Sequence, residues 1–345
     1  MTATALANGA EVSVTAALRR PRLGFLGLGW IGRNRMEAIA ADGCSEIVAL
    51  ADASEDAIAN AHALAPGASA FGSFEALLAC ELDGLVVATP SALHAQQVQA
   101  ALERGVAVFC QKPLARTAPE TAQVIAAARA ADCLLRVDLS YRETVAVRKI
   151  RELVAGGELG EIYAVDLVFH NAYGPDKAWF RDPLLSGGGC VIDLGIHLVD
   201  LALWMLDFPA VSNVSSRLFA QGRALGPRPQ VVEDYAVAQF DLANGAVARL
   251  TCSWYLPAGC DAVIEATFTG SRGAASFRNV NGSFYDFVAE RFEGTRRATL
   301  AQPPDAWGGR AAAAWARRLA VDPGFEPDIE RIAHVAAVLD AIYGR

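Results

Sequence analysis

Apolar positions along the first 140 residues follow two periods in turn. Short apolar runs at 23–28, 47–51, 84–88, 106–110 and 133–137, each bounded by turn residues, read as buried strands. Between them, Ala-rich stretches at 54–64, 74–80, 92–104 and 118–131 read as helices. Alternation of this kind implies a parallel sheet covered by helices on both faces. Beyond residue 140 the pattern changes. Helices are expected at 145–155 and around 190–206, and strands at 162–169, 235–242, 246–254, 263–269, 274–278 and 284–292, several with period-two alternation. Asn244-Gly245 between two of these predicts a hairpin in which both turn positions take positive φ. Gly270 to Gly273 marks another turn, and 222–229 reads as a long loop. The predicted fold class is α/β: an N-terminal doubly wound parallel sheet at 21–140, then an α/β domain at 141–345 with a large, mostly antiparallel sheet. A mobile tail is expected over 1–20. The closing helical pattern at 327–343, with Ile329, Ile332, Val335, Leu339 and Ile342 on one stripe, is expected to cap a core and to pack back on the first domain.

The stretch 23–52 carries the first chemistry. A strand enters Gly27, Gly29 and Gly32 at G-x-G-x-x-G spacing, a helix follows, and a second strand ends at Asp52, twenty residues beyond Gly32. Strand, tight turn, helix, strand and acid in that order make the dinucleotide-binding unit of a Rossmann domain. Gly27 allows the turn, Gly29 lets the backbone approach a pyrophosphate, and Gly32 lets the helix lie close on the strand. The helix N-terminus at Trp30 and Ile31 offers free N–H groups to the phosphates. Asp52 is placed to accept from ribose hydroxyls. Ala53 and Ser54 after it offer no cation for a 2′-phosphate, so NAD is favoured over NADP. Arg33 and Arg35 are the cations that could still reach a phosphate.

Two further loops leave strands of the same sheet, where a doubly wound fold presents its ligand. One carries Thr89, Pro90 and, on the helix beyond, His94; the other carries Gln111 and Lys112. Lys112 in a cleft beside a nicotinamide ring could exchange a proton with a substrate oxygen. The cofactor-contacting set is therefore Gly27, Gly29, Trp30, Ile31, Gly32, Asp52, Thr89, Pro90, His94, Gln111 and Lys112. In the second domain, 186–206 places Asp193, His197 and Asp200 at i, i+4 and i+7, on one face of an otherwise apolar helix. His197 is a candidate general acid or base and Asp193 a candidate for holding substrate hydroxyls; Asp200 fits a buried polar network. Arg142, Tyr173, Trp179 and Arg181 are candidate substrate contacts.

The chain has 345 residues and 53% apolar content, which suits two domains, and its net charge of −8 leaves no basic surface for nucleic acid. Seven scattered cysteines without C-x-x-C spacing argue for a reducing cytoplasm and against a disulfide framework or structural zinc; no metal is expected. The first twenty residues do not make a secretory signal, and Arg19-Arg20 reads as the lead-in to the first strand rather than an export signal. No stretch of about twenty residues is free of charge, so no membrane span is expected.

From about Arg22 onward the chain resembles the Gfo/Idh/MocA oxidoreductase family. The resemblance rests on GFLGLGWIG with Asp52, TPSALH (89–94), CQKPLA (110–115) and GGGCVIDLGIHLVD (187–200). It implies a Rossmann domain followed by an open-faced α/β domain, with Lys112, Asp193 and His197 at the catalytic positions. It also implies a homo-oligomer, dimer or tetramer, packed through the open sheet. Two departures stand out: the family usually has Glu where this chain has Gln111, and many relatives carry His where it has Arg35. The expected activity is NAD(H)-dependent hydride transfer on a sugar, sugar derivative or cyclitol. The alternatives are a dinucleotide-binding sensor without turnover and a glycoside-cleaving enzyme that uses bound NAD transiently.

Overall fold

The computed structural model describes residues 20–226 and 230–345. The tail expected over 1–20 therefore lies, except for Arg20, outside the described residues.

The first sheet is built from β1 (Arg22–Leu26), β2 (Glu46–Ala51), β3 (Ser69–Phe71), β4 (Gly84–Val87), β5 (Ala107–Cys110) and β6 (Leu135–Val137). All six strands are parallel, in the order β3-β2-β1-β4-β5-β6, so the strand order reverses between β1 and β4. Ligands of such sheets sit at that reversal, beyond the strands' carboxyl ends. The covering helices are α1 (Trp30–Asp42), α2 (Glu55–His62), α3 (Phe74–Leu78), α4 (Ser91–Leu102) and α5 (Ala118–Ala130). Local chemistry sets their starts: the hydroxyls of Ser54, Ser73 and Thr117 accept from the third backbone N–H beyond each. At the other end of α1, Gly43 takes the left-handed conformation, φ 72°.

The second sheet has nine strands in the order β15-β14-β13-β12-β7-β11-β10-β8-β9. They are β7 (Ile162–Asn171), β8 (Val211–Ala220), β9 (Arg223–Ala224), β10 (Tyr235–Leu242), β11 (Val247–Ser253), β12 (Ala262–Gly270), β13 (Gly273–Asn279), β14 (Phe287–Glu293) and β15 (Arg296–Ala301). Every pairing is antiparallel except β7 with β11. Helices α6 (Val145–Ala155) and α8 (Ile196–Met205) cover one face, with the short α7 (Pro183–Ser186) ahead of α8. Helical residues Pro183–Met205 are long and apolar enough to cross a membrane, but 89% of the stretch is buried inside the fold, as a core helix would be.

Two expectations are corrected here. The hairpin at Asn244-Gly245 forms, but its loop is 243–245, with Gly245 N–H on Leu242 O and Leu242 N–H on Ala246 O, both at 2.8 Å. Only Gly245 of the pair is left-handed (φ 89°), while the Asn244 amide oxygen accepts from Ala246 N–H. That is the three-residue turn with a glycine bulge rather than the two-residue one. Second, β8 (Val211–Ala220) is absent from the expected elements, and β9 takes Arg223–Ala224 from the start of the loop expected at 222–229, of which residues 227–229 are outside those described. The polar serines of β8 hide the strand, because on this edge-proximal strand one face is left to solvent.

Helix α9 (Arg310–Val321), absent from the expected elements, returns from the second domain to lie against α1. Trp315 and Leu319 join Leu23, Phe25, Met36, Ile39 and Phe109 in one buried cluster, with the Trp315 and Phe109 rings 5.8 Å apart. Helix α10 (Arg331–Tyr343) packs against α5 and α8, and Asp340 accepts from Ala118 N–H at 2.8 Å. Trp315→Ala is expected to cost about 3–5 kcal/mol in denaturant unfolding. A loss under about 1 kcal/mol would show that α9 is not part of the first domain's core.

Candidate active site

At the nucleotide end, Gly27 (φ 87°) donates its N–H to Ala51 O at 2.9 Å, and a side chain there would strike the Ala88 carbonyl. Helix α1 then starts without a side-chain cap and without an acid in its first turn; a Cβ at Gly29 would meet nothing within 4 Å. Its first N–H groups thus open onto free space, as a pyrophosphate requires. Asp52 sits beside them. Its Oδ2 accepts from Leu28 N–H at 2.6 Å and its Oδ1 from Ser54 N–H at 2.8 Å. Each oxygen keeps a lone pair for a ribose hydroxyl. Arg35 is turned inward onto Asp138, while Arg33 lies 3.8 Å from Glu37. These residues fit an adenosine ribose and pyrophosphate.

The two neighbouring loops are tied together. His94, 1% exposed, lies between them with Nδ1 2.7 Å from Pro113 O and Nε2 2.7 Å from Thr89 O, and burial lowers its pKa despite both carbonyls. Thr89 Oγ1 donates to Gln97 at 2.5 Å. His94 therefore shapes the loops on either side of it. Pro90 caps the start of α4, and Gln111 is buried, its amide on Asp138. Trp30 is 56% exposed at the start of α1, and Ile31 beside it is half-buried. The Trp30 ring lies 6.4 Å from Tyr285 of the second domain.

At the reacting end, Lys112 Nζ donates to Asp193 twice, to the backbone O at 2.7 Å and to Oδ1 at 2.8 Å. Trp254, just past β11, donates its indole N–H to the other oxygen, Oδ2, at 3.1 Å. Asp193 stands in a π-helical turn, Val191–Gly195, that leads into α8. The wide turn is held from outside. Glu233, 2% exposed, accepts from Gly189 N–H (3.0 Å) and Val191 N–H (2.9 Å), and Tyr343 bridges the two ends by accepting from Ile192 N–H and donating to Glu233. Burial raises the Glu233 pKa, opposed by those hydrogen bonds.

Of the three polar groups expected on one face, Asp193 stands in the π-helical turn and Asp200 in α8, and the two find different partners. Asp193 meets Lys112, whereas Asp200 is buried against Arg142, whose Nε donates to it at 2.8 Å. Arg142, expected at the substrate, is thus held by Asp200 and lies over the Trp204 and Phe208 rings. His197 is 9% exposed, its ring edge-on to Tyr141 at 4.9 Å, and its buried Nδ1 has no partner among the described residues. Burial first, then the charges of Lys112 and Arg35, hold its pKa well below the ordinary value.

Tyr173, Trp179 and Arg181 lie on the loop after β7. Tyr173 is half exposed with its ring 6.2 Å from Phe284; Trp179 stacks on Phe180 at 3.8 Å, and Phe180 meets Trp254 edge-on. Arg181 bonds Tyr255 Oη and Pro175 O, each at 2.9 Å. Sequence reasoning missed Trp254, Glu233 and Asp138. Asp138 was reachable, since it lies just past a strand end as Lys112 does; nothing in spacing marks the other two.

A dinucleotide-binding turn in a parallel sheet, with a strand-end lysine paired to an aspartate of a second α/β domain, is the build of a two-domain NAD(P)-dependent oxidoreductase. A family model described as an oxidoreductase family with NAD-binding Rossmann fold matches residues 21–139, and the Gfo/Idh/MocA C-terminal domain matches 147–276. D-xylose 1-dehydrogenase (NADP(+)) 2 of Haloferax volcanii is 32% identical over 328 residues, 93% of this chain and 95% of that protein. D-glucoside 3-dehydrogenase of Escherichia coli (strain K12) is 31% identical over 210 residues, 58% of this chain and 60% of its own length. In fold, levoglucosan dehydrogenase in complex with NADH and levoglucosan is similar, with a TM-score of 0.80, 21% identity and coverage of 94% and 96%. The chain belongs to the Gfo/Idh/MocA oxidoreductase family.

Removing the Glu233 carboxylate leaves buried N–H groups of the π-helical turn without acceptors. Glu233→Ala is expected to cost about 2–4 kcal/mol in unfolding free energy and Tyr343→Phe about 1–2; equal, negligible losses would show that the turn stands without them.

Proposed function

We propose that the chain is an NAD(H)-dependent oxidoreductase that interconverts a hydroxyl and a keto carbon on a sugar, sugar derivative or cyclitol. The observation that carries this reading is the Lys112–Asp193 contact beyond the dinucleotide turn. An ammonium has three N–H donors. Two are spent on Asp193; the third is left for a substrate oxygen. Bound NAD supplies the hydride acceptor, C4 of the nicotinamide, for the hydrogen on the carbinol carbon. The hydroxyl proton must leave at the same time, and His197, kept neutral by burial and by Lys112 and Arg35, is the acceptor on this chain. In reduction the same groups return the proton. Asp193, fixed by Lys112 and Trp254, orients the ammonium, and Trp179 and Tyr173 offer apolar ring faces to the substrate. Support for NAD over NADP comes from Asp52, whose carboxylate would repel a 2′-phosphate. The relatives above are named for NADH and NADP(+) alike.

We propose a homo-oligomer as well. On the sheet face away from α6 and α8, Asp166, Arg217, Gln239, Arg249 and Thr251 line a groove of about 570 Å³ beside exposed Val237. A second copy would cover it.

The test is formation of NADH from NAD⁺ and of NADPH from NADP⁺, run in parallel over polyols, aldoses, glycosides, uronic acids and inositols. Turnover is expected with NAD⁺, and Lys112→Ala is expected to lower kcat by at least about 100-fold; wild-type turnover in that variant would sink the assignment. The pH profile is a second check. Because the His197 pKa is lowered, the ring stays an acceptor below pH 6.5, its ordinary value, and the acidic limb of alcohol oxidation is expected well below that point. An acidic limb near 6.5 that vanishes in His197→Asn would contradict it.

A further inference from the structure

Directly behind the Lys112 turn lies a buried charge pair, Arg35 with Asp138, whose carboxylate takes no part in these steps. Arg35, on the dinucleotide helix α1, is 5% exposed, and Asp138, the residue after β6, is 1% exposed. Arg35 Nε donates to Asp138 Oδ2 at 2.6 Å, and Gln111 Nε2 donates to the same oxygen. Asp138 N–H is itself on Cys110 O at 2.9 Å, and Gln111 N–H is on Val87 O at 2.8 Å. One carboxylate oxygen thus gathers α1, the end of β5 and the end of β6. The other, Oδ1, is buried without a partner among the described residues. The groups around it are the Arg35 guanidinium from α1, whose charge also acts on buried His197 of α8, and, from β5 and its end, the Cys110 thiol and the Gln111 amide. Burial and Asp138 keep the Cys110 thiol neutral.

The charges balance only one way. Arg35 brings one positive charge and Asp138 one negative, so position 111 must be neutral and must donate. A second carboxylate there would face Asp138 at hydrogen-bond distance, where two carboxylates cannot both ionise. An isolated buried guanidinium would be equally costly.

We propose that Asp138 is a positioning residue for Lys112: through Gln111 it fixes the turn that presents the lysine, and through Arg35 it locks that turn to the dinucleotide helix. The proposal rests on the reading of Lys112 as the group that meets the substrate oxygen. It explains why Gln111, adjacent to Lys112, is an amide in this chain. The carboxylate of the cluster stands at 138 instead.

The experiment compares wild type, Asp138→Asn, Gln111→Glu and the double variant Gln111→Glu/Asp138→Asn, with folding followed by circular dichroism and thermal melting. Asp138→Asn is expected to lose about 10- to 100-fold in kcat, as small misplacements of a reacting group do, with the substrate KM little changed. In Gln111→Glu the two acids share a proton, so turnover is expected to fall as pH rises through a new ionisation absent from wild type. The double variant restores one negative charge opposite Arg35, and is expected to recover most of the lost turnover and to lose that ionisation. Asp138→Asn with lowered melting temperature but wild-type kcat would reduce Asp138 to a structural role and overturn the proposal. So would a wild-type pH profile in Gln111→Glu, or a double variant that is unfolded or no better than Asp138→Asn. Lys112→Ala runs alongside: if it is inactive while Asp138→Asn is not, only the positioning role fails, whereas full turnover in Lys112→Ala removes the reading beneath it.

Discussion

The site hangs on one ion pair between domains, Lys112 against Asp193. The two side chains are 20% and 15% exposed, so neither charge is fully hydrated, and each needs the other. The lysine comes from a strand end in the parallel sheet, a place that is rigid because β5 is buried on both faces. The aspartate comes from a π-helical turn, the kind of local widening that a helix adopts only where something repays it. Here the repayment is visible: Glu233 and Tyr343 take the N–H groups of the turn, while Trp254 takes the second carboxylate oxygen.

That pairing needs two domains held in a single relative placement, and the last third of the chain does this. Helix α9 returns to finish the first domain's core with Trp315, and α10 bridges α5 and α8 while its final turn supplies Tyr343 to the site's supports. The nucleotide domain is complete only once residues more than 170 positions downstream of β6 have packed on it. Cofactor turn, lysine turn and π-helical turn are therefore parts of one packed unit, with buried groups and few alternatives.

Much of this was legible in the residues. Period-two and helical patterns separated a parallel from a largely antiparallel sheet, and the glycine turn with Asp52 located the dinucleotide end. Strand-end logic singled out Lys112, and the polar groups on an apolar helix singled out Asp193 and His197; the structure joins Lys112 to Asp193 by hydrogen bonds. Spacing along the helix did not reveal partners: Asp193 meets Lys112 while Asp200 meets Arg142. Serine-rich β8 and Ala-rich α9 carried too weak a period to stand out, since a half-exposed strand and a helix packed through alanines and one tryptophan leave little contrast.

What the sequence by itself determined was local: periodicity, turn chemistry, the spacing of glycines and acid, and which loops follow strands. These depend on neighbours a few residues apart, where sterics and hydrogen bonding act directly. Only the tertiary structure decided the partners of the buried charges. Lys112 finds Asp193 across 81 positions, Arg142 finds Asp200 across 58, and Arg35 finds Asp138 across 103. A buried charge is stable only beside its counter-charge, and which counter-charge lies beside it is settled by how the sheets and returning helices pack.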